Sequence, residues 1–202
     1  MLKRDTLYIR GVAMNIKSLG IVIGLLGVGS GYWWYTHKTV EVPPIVLGQG
    51  FQMSSCTTDP EKNFIRQQFK DNWIHLISSP DYDIEYFLNE KGIYPFQPEY
   101  KGKMQIKVLH KDGAMVGFCA YYMKTPAEGS ILFINVDKDN RGKRYGEELA
   151  RYATQDLKRL GAKFIRFSTR DTNLSAQKLY DRLGYQRIPT DRGHVGYRLA
   201  IV

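Results

Sequence analysis

The amino-acid sequence predicts an α+β domain in which a mixed β-sheet carries helices on its faces. Three observations lead there. Apolar residues switch between period two and period 3.6 along the chain, giving the order β-α-α-β-β-β-α-β-α-β-β. The composition, 43% hydrophobic and 24% charged, is globular and excludes extensive disorder. A length of 202 residues holds one substantial domain and a short appendage.

The appendage comes first. Residues 1–17 are a basic segment, with Lys3, Arg4, Arg10 and Lys17 against Asp5. Residues 18–35 (SLGIVIGLLGVGSGYWWY) carry no charged side chain. As a helix they span about 27 Å, close to the hydrocarbon thickness of a bilayer. Tyr32, Trp33, Trp34 and Tyr35 close the run where an interfacial aromatic belt sits. A signal peptide would end on small residues instead, and five glycines would weaken a helix buried in a water-soluble core. The segment is therefore expected to be a single-pass transmembrane anchor. Residues 36–44 are a linker ended by Pro43-Pro44, and the domain occupies 45–202.

Within the domain, Ile45–Met53 reads as the first strand. Asp59-Pro60-Glu61 starts a helix with proline in its first turn. Phe64, Ile65, Phe69, Trp73, Ile74 and Ile77 keep the helical period until Ser79-Pro80. Ile84, Phe87 and Leu88 line a second, short helix that stops at Gly92. Met104–His110 and Ala114–Met123 are strands joined through an Asp112-Gly113 hairpin turn. Thr125–Gly129 reverses the chain into the buried strand Ile131–Val136. Tyr145–Leu160 is a helix closed by Gly161, and Lys163–Ser168 is a strand. Asn173–Leu183 is a helix closed by Gly184, and Tyr185–Ile188 and Val195–Ile201 are the last strands.

The net charge of +9 and pI near 9.4 attract anions of every kind. No basic run interleaved with aromatics is present, so nucleic acid is not expected as a partner. Cys56 and Cys119 make neither a disulfide framework nor a zinc site, and no metal is expected. The informative stretch runs from Val136 to Gly146, VDKDNRGKRYG. It joins a buried strand to a helix whose first turn is rich in glycine and cations. Unpaired first-turn amides and the helix dipole receive phosphate. An ordinary basic loop before a glycine-assisted helix start would read the same way.

Here the sequence resembles a known family. Arg141-Gly142-Lys143-Arg144-Tyr145-Gly146, five residues after Val136, is similar to the Gln/Arg-x-x-Gly-x-Gly/Ala loop of the GCN5-related N-acetyltransferases (GNAT). Asn173-Leu-Ser-Ala176-Gln-Lys-Leu179-Tyr180-Asp-Arg-Leu-Gly184-Tyr185 resembles the family's Asn-x-x-Ala-x-x-Leu-Tyr-x-x-x-Gly-Phe/Tyr segment. The resemblance covers residues 45–202 and implies the GNAT-like acyl-CoA N-acyltransferase fold. It further implies direct transfer of an acetyl group from acetyl-CoA, as co-substrate, to a primary amine of a small molecule or protein. A non-catalytic CoA-binding or scaffold protein with the same fold is the alternative.

The resemblance also assigns roles. Backbone amides near Ile134, Asn135 and Val136 hold the thioester arm and polarise its carbonyl. Arg141, Gly142, Lys143, Arg144, Tyr145 and Gly146 cradle the pyrophosphate, Asn173 meets the pantetheine, and Tyr180 protonates the departing thiolate. Arg144 replaces the family's middle glycine, and it is expected to be already helical, with its side chain reaching the phosphates. No general base is assigned: Glu128 and Asp137 stand at strand ends, and His110 and His194 at strand edges. Trp73, Tyr82, Tyr86 and Phe87 with Asp81, Asp83 and Glu85 form either an aromatic, acidic lip for a cationic amine or a core stripe with a solvated face. The cations ahead of the anchor favour export of the domain, whereas acetyl-CoA supply favours a cytosol-facing one, which is the expectation adopted.

Overall fold

A computed structural model describes residues 6–9, 12–15, 45–77, 82–89 and 104–201. The expected anchor at 18–35 lies outside them, and among the described residues no helix is long and apolar enough to cross a membrane. The chain forms two compact units, residues 1–43 and 44–202. In the first, β1 (Thr6–Ile9) and β2 (Val12–Asn15) pair antiparallel, from Thr6↔Asn15 to Ile9↔Val12. Charge alone conceals this hairpin. Tyr8, Ile9 and Val12, β-prone residues two positions apart across Arg10-Gly11, reveal it.

The second unit holds β3 (Phe51–Ser55), α1 (Asp59–Leu76), α2 (Ile84–Leu88), β4 (Gln105–Lys111), β5 (Ala114–Met123) and β6 (Glu128–Val136). A single 3₁₀ turn (Lys138–Asn140), α3 (Tyr145–Arg159), β7 (Phe164–Arg170), α4 (Leu174–Arg182), β8 (Gln186–Ile188) and β9 (His194–Ala200) follow. The seven strands lie in the order β3-β4-β5-β6-β7-β9-β8. Every neighbouring pair is antiparallel except β6–β7. The predicted element order holds throughout this unit. The first strand does not reach back to Ile45: Phe51 N donates to the Gly48 carbonyl in a turn, so pairing begins at Phe51↔Lys111. The two early helices also end sooner than the periodicity predicts, at Leu76 and Leu88.

Alternation along the strands divides the core in two. On one face α1 and α2 cover Val108, Phe118 and Phe133, with Phe69 at the centre, 5.2 Å from Phe87 and 5.3 Å from Phe133 between ring centroids. On the other, α3 and α4 cover Leu109, Cys119, Tyr121, Ile165 and Tyr197 through Leu149, Ala153, Leu157 and Tyr180. Each buried aromatic contributes a large apolar area, and Phe133 meets Phe69, Phe87 and Phe118 edge-on.

A capping box fixes the start of α1. The Thr58 hydroxyl accepts from Glu61 N, and Glu61 Oε2 accepts from the amides of Thr57 and Thr58. The Ser54 hydroxyl donates to Glu61 Oε1 and lies 2.9 Å from His110 Nε2, which ties the helix to β3 and β4. Burial pushes the Glu61 carboxyl up, but bonds from Ser54, Thr58 and Thr57 outweigh it and bring the pKa down to about 2. A carboxyl lowered in the folded state adds stability above its unfolded pKa, near 4.3, and loses it as pH falls toward 2. The contribution is about 3 kcal/mol. Urea midpoints between pH 5 and pH 2 are expected to fall more steeply for the natural chain than for Glu61→Gln. Parallel pH curves would show that Glu61 carries no such share.

Candidate active site

Strand β6 is paired to β5 along its length, yet its pairing with β7 covers only Glu128↔Phe164 and Gly129↔Ile165. β7 meanwhile keeps all seven of its pairs with β9. From Ile131 onward β6 and β7 therefore part, and among the described residues the β6 backbone facing that gap has no strand partner. Ala120 pairs with Phe133 and Tyr121 with Ile131, so Leu132 is an extra, bulged residue on β6. The bulge resets the alternation: Ile131 packs under α3, whereas Phe133 packs under α1. Ile134, Asn135 and Val136, the residues expected to offer amides, lie beyond the bulge at the open end.

The chain next passes through the 3₁₀ turn into α3. Gly142 has φ +78°, with open space where a Cβ would stand. Arg144 is the N-cap of α3 at φ 62°, ψ 14°, and its side chain makes no capping bond. The expectation of a helical Arg144 is thus corrected. The position needs the left-handed conformation that glycine adopts freely, and arginine holds it at a cost. Among the described residues, the amides of Arg144, Tyr145 and Gly146 have no hydrogen-bond partner; the first bonded one is Glu147 N, to the Arg144 carbonyl. Left-handed residues alternating with ordinary ones turn successive amides to one side, forming an anion nest at the positive end of a 15-residue helix. Arg144→Gly is expected to raise stability by about 1 kcal/mol by removing the left-handed strain. An unchanged or lowered thermal midpoint would refute that strain.

Side chains of the loop do less than the sequence suggests. Arg141 turns inward, its Nη2 donating to Asn72 Oδ1 at 2.6 Å and its Nε to the Val136 carbonyl. Lys143 Nζ donates to the Asp139 carbonyl and Asn140 Oδ1. Tyr145 packs edge-on against Phe51, 5.1 Å between centroids. These three hold the loop, and the exposed Arg144 is left to face an anion. Periodicity also misses a buried polar file on α1. Gln68 Oε1 accepts from Asn135 Nδ2, Gln68 Nε2 donates to Asp137 Oδ1, and Asn72 Nδ2 donates to the Gln68 carbonyl. Gln68 and Asn72, polar at i and i+4 among core positions, mark this file in the sequence. Asp137 illustrates the effect: burial pushes its carboxyl up, but bonds from Gln68, the Asp139 amide and Asn140 bring it below the ordinary range.

Helix α4 completes the site. Asn173 caps it by accepting from Ala176 N through Oδ1, which leaves the amide nitrogen of that side chain for other partners. A Cβ on Gly146 would stand 3.3 Å from Leu179 Cδ2, so α3 and α4 approach closely beside the nest. Arg182 and Glu147 form an ion pair across the same contact. Tyr180, next to Leu179, is buried with its ring 4.6 Å from Phe167 and 5.2 Å from Tyr197. Burial first, then Tyr185 and Tyr197, raise the pKa of its phenol, which therefore stays protonated.

Neither strand-end carboxylate is poised as a base. Asp137 is committed to three donors, and Glu128 begins β6, about 30 Å of strand away from the loop. Of the two readings of the Trp73–Phe87 region, packing favours the core stripe with a solvated face. Phe87 is fully buried, Tyr82 packs tilted against Phe69, Asp83 caps α2, and Glu85 forms a two-point ion pair with Arg66. Asp81 lies outside the described residues.

Residues 64–185 match the model of the acetyltransferase (GNAT) family. The chain belongs to that family. A Bacillus subtilis protein assigned as a [ribosomal protein bS18]-alanine N-acetyltransferase is 32% identical over 79 residues, 39% of this chain and 52% of its own length. The chain thus aligns with about half the length of that curated relative. Among solved structures, a GCN5-related N-acetyltransferase from Kribbella flavida shares 20% identity with a TM-score of 0.61, covering 75% of this chain and 98% of its own. A Salmonella typhimurium structure holding acetyl-CoA shares 12% identity with a TM-score of 0.58, over 75% and 94%. Both likenesses concern the fold, which is the GNAT acyl-CoA N-acyltransferase fold. Acetyl-CoA is the family's acyl donor, and its requirements fit this site: a free amide nest for the diphosphate and a parted strand pair for the extended arm. Among the described residues no group of side chains could hold a metal ion.

Proposed function

We propose that the protein transfers the acetyl group of acetyl-CoA to a primary amine. The observation that carries this reading is the run of unbonded amides at Arg144, Tyr145 and Gly146 beside the gap between β6 and β7. In this reading those amides, with Gly142 giving close approach, hold the diphosphate. The β6 backbone at Ile134, Asn135 and Val136 binds the arm and polarises the carbonyl oxygen. Asn173 orients the pantetheine through its free amide nitrogen, and Tyr180 donates a proton to the departing sulfur. Acetyl-CoA supplies the activated acetyl group as a thioester. The B. subtilis relative is named for N-acetylation of an alanine of a ribosomal protein; alanine in a polypeptide offers an amine only at the N-terminus, which makes a peptide N-terminus the first amine to test.

The deciding experiment is calorimetric titration of the full chain with acetyl-CoA, followed by thiol release on a panel of amines. Saturable binding and turnover are expected. Absence of binding would end the proposal, and binding without turnover on any amine would favour a CoA-binding scaffold. We further propose that residues 18–35 tether the enzyme to a membrane with its domain on the cytosolic side, on the strength of their uncharged length and aromatic end. Alkaline carbonate extraction and protease access in sealed vesicles test the tether and its sense.

A further inference from the structure

With α3 and α4 on one face and the nest at the start of α3, an amine meets the gap from the opposite face. There α1 and α2 cover β4, β5 and β6, and no described helix covers β7 and β9. Ile165 and Phe167, with Val195, Tyr197 and Leu199, point to the α3–α4 side, so Arg166, Ser168, Arg170, His194 and Arg198 present on the acceptor side. Two like-charged arginines, Arg166 and Arg198, stand directly opposite across the strands, an arrangement that costs stability unless an anion offsets it, and Arg170 stands opposite His194. Among the described residues none of the three arginines has a carboxylate within ion-pair distance. Arg166 and Arg198 are exposed, and Arg198 lies over the Phe164 ring at 5.0 Å. The nearest carboxylates in sequence, Asp171 and Asp191, belong to the loops beyond the strand ends. Arg170 also donates to the Ile77 carbonyl at the end of α1, which places this basic face against the α1 side of the gap.

We propose that this face docks the acceptor, and that the acceptor is a polypeptide whose N-terminal amine is followed by acidic residues. This deepens, and rests on, the acetyltransferase reading. Arg166 and Arg170 are about 13 Å apart along β7, the spacing of residues i and i+4 in an extended peptide, which favours a peptide over a compact anion. Charge complementarity of this kind selects partners more than it adds affinity, because like charges are rejected.

The test is fluorescence anisotropy of the full chain with labelled peptides that begin with Ala and continue with four acidic, four neutral or four basic residues. The acidic peptide is expected to bind about tenfold tighter than the basic one, as for a few exposed ion pairs acting together, and to lose that margin at high salt. Combined Arg166→Glu and Arg198→Glu is expected to reverse the order; the single Arg166→Gln and Arg198→Gln variants, milder for folding, should each narrow it. A basic peptide bound equally well, or an order unchanged in these variants, would overturn the proposal. So would tighter binding of a single-stranded oligonucleotide of equal charge. Peptide binding is read without turnover. A chain that prefers acidic peptides but ignores acetyl-CoA would keep the docking face and lose the transferase reading. Acetyl-CoA binding without peptide preference would do the reverse.

Discussion

Replacing Tyr180 by phenylalanine is expected to lower kcat about 100-fold while acetyl-CoA affinity stays within about twofold. The ring is held by Phe167, Tyr185 and Tyr197 on three sides, contacts that phenylalanine retains, so the fold and the neighbouring nest should persist. What disappears is the hydroxyl proposed to protonate the departing sulfur. Burial keeps the phenol protonated, and the same desolvation raises the affinity of a departing thiolate for a proton. Transfer between them is then close to the balance of the unperturbed groups, roughly pKa 10 against 8.5. Steady-state kinetics paired with calorimetry decide the matter. Equal losses in kcat and in acetyl-CoA affinity would assign Tyr180 to packing alone.

Gly117→Ala is expected to be the most damaging small substitution near the site. Gly117 pairs with Val136, and a Cβ there would stand 2.6 Å from the Asn135 carbonyl oxygen and 3.1 Å from Leu149 Cδ1. The first contact is with backbone, which cannot rotate away. β5 and β6 must therefore separate at the end where β6 delivers the loop and where Asp137 N donates to the Val116 carbonyl. Overpacking of this kind costs about 1–3 kcal/mol. The displacement should also weaken acetyl-CoA binding at least about tenfold, since oriented amides lose their effect when moved by an ångström. Chemical denaturation and calorimetry read the two effects. A variant as stable and as tight-binding as the natural chain would show that Gly117 does not hold the strands in register.

Much of this was legible in the residues themselves. Period-two and period-3.6 patterns place β4 to β9 and all four helices, Asp112-Gly113 marks its hairpin with φ of 50° and 85°, and two motifs suffice to suggest the family. These signals are local: each depends on neighbours within a turn or a strand. Thr58-x-x-Glu61 is equally local and carries the capping box, with Pro60 inside the same turn.

What the sequence could not supply is contact between distant segments. Whether Arg144 is helical or left-handed depends on how β6 delivers the loop to α3. Whether Arg141 faces an anion or Asn72 depends on α1 lying alongside, 69 positions earlier. The charges of Glu85 and Asp83 look like an acidic lip until packing brings Arg66 to one and the α2 amides to the other. Like charges on β7 and β9 become one basic face only once the strands pair in register. Periodicity and short motifs determined the elements and the chemistry they could carry; the tertiary structure alone decided which polar groups neutralise one another and which stay free to bind, because hydrogen bonds and ion pairs act over a few ångströms in space, without regard to separation along the chain.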